Sequence, residues 1–123
     1  SNSGKYSGTG EYADVKGHHV HAKAGFIGDM KYNPQKGFSI SQDFMDSHGL
    51  NHQKMTSKQR ELFKELYESG RPNTLEEHTR IAKEALKAGG ANDSMIDDLI
   101  QASLSNLEKQ GVNQPTRIPW YSK

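Results

Sequence analysis

The 123-residue chain contains no cysteine. Disulfides are therefore excluded as a source of stability, and a metal site would have to draw on His, Asp, Glu or Asn. Hydrophobic residues make up only 32% of the chain and mean hydropathy is −0.93. No apolar run approaches the length of a membrane span, and the chain as given has no signal-peptide pattern. Tryptophan occurs once and proline four times, against twelve glycines. Such a composition suits one domain with a modest core and a polar, loop-rich remainder. Net charge is +1, which excludes a uniformly basic nucleic-acid coat. The charge is nevertheless uneven. Residues 1–60 carry seven Lys, one Arg and five acids, for +3; residues 61–123 carry five Lys, three Arg and ten acids, for −2.

Histidine is what the basic half has in excess. Lys16-Gly17-His18-His19-Val20-His21-Ala22-Lys23 holds three of the six histidines and two lysines. Imidazole trades protons near neutral pH, so the cluster can act as acid, base or metal ligand, and its cations suit a phosphodiester. Read as an extended strand within Tyr12 to Ile27, it places His19, His21 and Lys23 on one face and His18, Val20 and Ala22 on the other. An incidental surface histidine run is the plainer reading of the same residues.

Residues 1–11 are Ser-, Gly- and Thr-rich and read as a flexible linker, with a single domain over 12–123. Gly28 to Gly37 reads as a loop and Phe38-Ser39-Ile40 as a short partner strand. Ser41 caps a short helix carrying Phe44 and Met45, which Gly49 ends. Three longer helices follow. The first opens at a Thr56-Ser57-Lys58-Gln59 capping box, buries Leu62, Phe63, Leu66 and Tyr67, and stops at Gly70. The second opens at Thr74-Leu75-Glu76-Glu77 and runs to about Ala88; the third opens at Ser94 and closes at Gly111. Residues 115–121 read as an extended tail whose Trp120 packs back on the helices. The expected class is α+β, a short N-terminal β-hairpin-like region packed on a bundle of three to four helices.

Three further groups carry chemistry. In Asp46-Ser47-His48-Gly49-Leu50-Asn51-His52, Gly49 argues against a continuous helix joining His48 to His52 as an i,i+4 metal pair. A turn just before the next helix can instead aim Asn51 and His52 at the histidine strand. His78 shares a helix face with Ile81, Ala82 and Ala85, so it points inward and needs a partner, either as a core histidine or as a general acid. Ser69-Gly70-Arg71-Pro72-Asn73-Thr74 combines an arginine with a helix N-terminus and reads as an anion cradle, with ordinary turn chemistry as the alternative. The glycine-rich stretches fit neither a P-loop nor a dinucleotide fingerprint.

The runs from Gly17 to Ala24 and from Gly37 to Gln42, with His52 to Thr56, Ser69 to Ala82 and Pro115 to Tyr121, resemble C-terminal toxin domains of bacterial polymorphic toxins. These are the Rhs/YD-repeat and wall-associated protein A types. The resemblance spans nearly everything after Tyr12 and is most specific from Arg71 to Ala82. It implies an intercellular-competition nuclease, secreted or displayed as part of a larger bacterial protein and acting in the target-cell cytoplasm. A cognate immunity protein is implied as partner. RNA, with tRNA as a candidate, is the favoured substrate, cleaved without a metal by His18, His19, His21, His52 or His78 acting as acid and base. Lys23, Arg71, Asn73, Thr74 and Arg80 are then the substrate-binding set. The alternative is a metal-dependent HNH/Endo VII-like DNase, in which His18, Asn51 and His52 hold a divalent ion and His19 activates water. Two features weigh against it. Few carboxylates lie near the histidines, and Val20-His21-Ala22 stands where a proline-containing turn is usual. A non-enzymatic binding domain is the third reading.

Overall fold

The computed structural model describes residues 6–121 and is α+β, a small antiparallel sheet packed against helices. In chain order come β1 (Thr9–Glu11), α1 (Tyr12–Val15), β2 (His18–His19), β3 (Phe38–Ile40), α2 (Gln42–Ser47), α3 (His52–Ser69), α4 (Leu75–Gly89) and α5 (Asp93–Gln110). The strand order is β1-β3-β2. Thr9 pairs with Ile40 on one side of β3, and His18 pairs with Ile40 on the other. No described helix is long and apolar enough to cross a membrane.

The linker expected to reach residue 11 ends earlier. Thr9 and Gly10 are buried in β1, and the Tyr6 hydroxyl donates to Asp98 of α5 at 2.8 Å. Main-chain pairing with β3 outweighs the flexible composition. Residues 1–5 lie outside the described residues.

The long strand expected over Tyr12 to Ile27 is the larger correction. Tyr12–Val15 form one helical turn, β2 is two residues long, and Lys23–Gly25 form a 3₁₀ turn. Gly17 forces the break. Its φ is +86°, and a Cβ there would overlap the Ile40 carbonyl oxygen, so only glycine lets β2 approach β3. Beyond β2 the Val20 amide still donates to Phe38 O, but the Gly25 amide donates to Ala22 O, and the chain turns. The turn separates His21, which goes inward, from Lys23, which stays exposed.

Helix ends follow side-chain caps. Ser41 Oγ accepts from the Phe44 amide and Thr74 Oγ1 from the Glu77 amide, as the sequence predicts. At α3 the Asn51 side chain caps, accepting from the Lys54 amide, so the helix begins four residues before the Thr56 box. At α5 Asn92 caps rather than Ser94. The earlier asparagine cap lengthens α3 by more than a turn and α5 by two residues, and in each case its side chain ties down an amide of the first turn. Tyr67, expected in the core, is 52% exposed.

The core has two main parts. Val20, Ile40, Met45, Met55, Leu86 and Leu99 bring the sheet, α2, α3, α4 and α5 together. Leu62, Phe63, Leu66 and Ile81 pack α3 on α4, and Ile118 of the C-terminal tail closes this second cluster. Burying each such side chain is worth about 1.5–3 kcal/mol. The tail is thereby fixed across α3, beside β2.

Candidate functional site

β2 delivers His18 and His19 to a cleft of about 320 Å³. Its other walls are the Ala22–Ala24 turn, the α3 residues His52, Thr56 and Gln59, and Pro119 and Trp120 of the tail. A second, larger cleft of about 780 Å³ shares His52 and Thr56 and continues along α3 past Arg60 and Lys64 to Tyr121. Both are open to solvent.

His19 is the best-positioned base. Its Nε2 lies 2.9 Å from the carbonyl oxygen of Pro34. A carbonyl only accepts, so Nε2–H donates and the neutral ring keeps its lone pair on Nδ1. Tyr12 stacks on the imidazole, with centroids 4.5 Å apart and planes 18° apart. Gly37 supplies the remaining space: a Cβ there would lie 2.8 Å from His19 Cδ2 and 2.9 Å from the Tyr32 hydroxyl. Burial pushes the His19 pKa down, the Pro34 bond opposes this, and the nearby Lys23 ammonium adds to the lowering. The Lys23 ammonium also lies 5.9 Å from the Tyr12 ring centre, with that of Lys16 at 5.5 Å.

His18 and His52 meet edge to face, with ring centroids 5.0 Å apart. Burial holds His18 neutral, its pKa pushed down to about 3, with His52 and His19 contributing further. His52, in the first turn of α3, is exposed. Asn51 lines neither cleft: its amide donates to the Gly89 carbonyl of α4, and its side-chain oxygen is engaged as the α3 cap. Among the described residues no group of three or more His, Cys, Asp or Glu side chains is placed to hold a metal ion. The donors facing one another are two imidazoles.

The other predicted site residues lie elsewhere. His21 is sealed in the interior, its Nδ1 2.6 Å from Ser103 Oγ and its Nε2 2.9 Å from Thr79 Oγ1. Both ring nitrogens are occupied, and burial pushes its pKa down to about 3. His78 is packed between Phe26 and Phe63, and its Nε2–H donates to Asn73 Oδ1 at 2.6 Å. Its inward placement with a partner is the expected one. Its Nδ1 is buried without a hydrogen-bond partner, against Gly25, and its pKa falls to about 4 through burial. Neither ring lines the His19 cleft.

The anion cradle is internally satisfied. Arg71 Nε donates to Glu77 at 2.9 Å, and Arg80 Nη2 donates to the same carboxylate at 2.9 Å. Those two guanidinium groups hold the Glu77 carboxyl below its ordinary range. Thr74 caps α4 and Asn73 serves His78. Arg71, Asn73, Thr74 and Arg80 line neither of the two clefts that meet at His52.

Tyr12, Thr56, Gln59, Arg60 and Trp120 are site residues that sequence reasoning missed. His52, Thr56, Gln59 and Arg60 share the helical i, i+4, i+7, i+8 spacing, a signal readable only once α3 is started at Asn51. No protein-family model matches the chain, and no curated protein or solved structure matches it either.

Proposed function

We propose that the protein is a nuclease that cleaves RNA by histidine acid–base catalysis in the His18–His19–His52 cleft. The observation that carries this reading is His19. One ring nitrogen is anchored to a backbone carbonyl, the other is left basic, and an ammonium stands beside it. In the proposed step His19 Nδ1 removes the proton of a ribose 2′-hydroxyl. The oxygen attacks the adjacent phosphorus, the bond to the 5′-oxygen breaks, and His52, as the general acid, gives that oxygen a proton. The products are a 2′,3′-cyclic phosphate end and a 5′-hydroxyl end. Lys23 stabilises charge on the phosphoryl oxygens, and acid–base assistance of this type is worth about 10²–10⁴-fold in rate. His21 and His78 act in this reading as framework for the cleft rather than as acid or base.

The close approach of His18 and His52 supports a second reading, a metal-dependent DNase. The two imidazoles would ligate a divalent ion that activates water, and His19 would take the proton. Among the described residues no carboxylate completes a three-donor group with them, which favours the first reading, since Mg²⁺ sites lean on oxygen ligands.

Incubating the purified chain with total tRNA and with plasmid, each with and without EDTA, tests both. RNA cleavage that survives EDTA supports the acid–base ribonuclease. Plasmid nicking abolished by EDTA replaces it with the metal-dependent one, and no cleavage of either substrate removes the nuclease reading. In keeping with the resemblance to polymorphic toxins, the chain acts in a target cell and is restrained by an immunity protein. That inhibitor presents an acidic face to the cleft, complementary to Lys23, Arg60 and Lys64. Inhibitor binding that is unaffected by charge reversal at these three positions would refute that surface.

A further inference from the structure

Trp120 stands at the junction of the two clefts. It lines the one holding His18 and His19, and its neighbour Tyr121 lines the other. A tryptophan in this place has no structural need to be so exposed: Ile118, two residues earlier, already anchors the tail in the core. Yet Trp120 as a residue stays 48% exposed. Its backbone is also held at φ +70°, a conformation bulky side chains rarely adopt. Strain of this kind persists where neighbouring contacts impose it, and it concentrates at ligand sites.

The surroundings of the ring are specific. The Arg60 guanidinium lies 5.2 Å from its centre, and Phe63 packs at 6.1 Å with planes at 47°. These contacts fix the indole plane while leaving much of it open. One turn further along α3, Lys64 adds a second cation to the wall of the larger cleft, where Glu61 is the one acid. An aromatic platform backed by arginine, in a groove with cations spaced along it, matches recognition of an unpaired nucleobase and its flanking phosphates. A duplex keeps its bases stacked on one another and offers no free face to the indole.

We infer that Trp120 is a stacking platform for an unpaired base next to the scissile phosphate, and that Arg60 and Lys64 bind the following phosphates. The inference rests on the nuclease reading and adds to it a substrate class, single-stranded RNA or the loop of a folded RNA. The strand leaves His19, crosses Trp120 and follows α3 toward Tyr121.

The single tryptophan makes the test direct. The full chain carrying His19→Ala, made to remove the proposed base and so suppress cutting, is titrated with a fluorescein-labelled U12 oligoribonucleotide and with an A12·U12 duplex. Anisotropy and tryptophan emission are followed together. The expected result is quenching of Trp120 with the same midpoint as the anisotropy rise, and binding of the duplex at least about tenfold weaker. Adding Trp120→Ala should weaken U12 binding about 5- to 150-fold, whereas Trp120→Phe should retain most of it. Arg60→Gln, on a helix surface where folding is not at stake, should weaken it and reduce its salt dependence.

Binding of U12 without quenching, or equal binding by Trp120→Ala with circular dichroism unchanged, overturns the platform. So does preference for the duplex, or no binding by either probe. Wild-type cleavage of tRNA, measured alongside, separates the two levels. If cutting persists while the platform fails, the nuclease reading stands alone; if both fail, that reading falls too.

Discussion

The carbonyl oxygen of Pro34 receives the Nε2–H of His19 at 2.9 Å, across a loop that leaves β2 and returns just before β3. One backbone atom thus selects the tautomer of the ring and decides which nitrogen is basic. His19→Ala should therefore lose about 10²–10⁴-fold in cleavage rate with the fold retained. Cleavage assays paired with circular dichroism check this. A fully active variant would remove His19 from the mechanism.

His21 should behave in the opposite way. His21→Ala leaves the Ser103 and Thr79 hydroxyls without their ring partner inside the protein and opens a cavity. A loss of about 1–3 kcal/mol is expected for the polar groups alone. The urea midpoint should fall clearly. At temperatures where the variant stays folded, the rate per folded molecule should change little.

Gly37→Ala probes placement of the base. Gly37 has φ −60°, so alanine meets no backbone strain there, but its methyl would press on His19 Cδ2 and the Tyr32 hydroxyl. The expected outcome is a loss of turnover larger than the stability loss accounts for, read as kcat against thermal midpoint. Displacement of a reacting group by about 1 Å costs about a hundredfold.

Acid should destabilise the protein. His18, His21 and His78 are neutral when folded, with pKa values pushed by burial to about 3, about 3 and about 4. In the unfolded chain each titrates near 6.5. Folded pKa values below the unfolded one mean that the unfolded chain binds more protons below about pH 6.5. Stability is therefore complete above that pH and declines as pH falls toward the folded values, by up to about 1.4 kcal/mol per pH unit for each ring. Urea midpoints at pH 7.5 and pH 5 measure it, the latter being lower. Converting His78 to Gln should flatten the dependence.

Arg71→Ala and Arg80→Ala should leave nucleic-acid affinity within about twofold, whereas Lys23→Ala and Arg60→Gln should not. The first two guanidinium groups are paired with Glu77 on the surface, and exposed pairs contribute about 0–1 kcal/mol to stability. Electrophoretic mobility shifts over a range of salt concentrations distinguish the two sets.

Chain order and local chemistry determined much of this protein. The α+β class, the caps at Ser41 and Thr74, the stops at Gly70 and Gly111, and the inward face of His78 follow from hydrophobic period and short-range hydrogen bonding, which sequence spacing encodes directly. Tertiary structure decided which histidines share a cleft. Alternation along an assumed strand grouped His19 with His21 and Lys23, whereas Gly17 and the turn at Ala22–Gly25 end that alternation after two residues. His21 is then claimed by hydroxyls on α4 and α5, Arg71 and Arg80 by Glu77, and His52 and Trp120 are brought to His18 from 34 and 102 positions away. Periodicity carries only near-neighbour geometry; convergence of distant residues depends on how buried faces pack, which is a property of the whole fold.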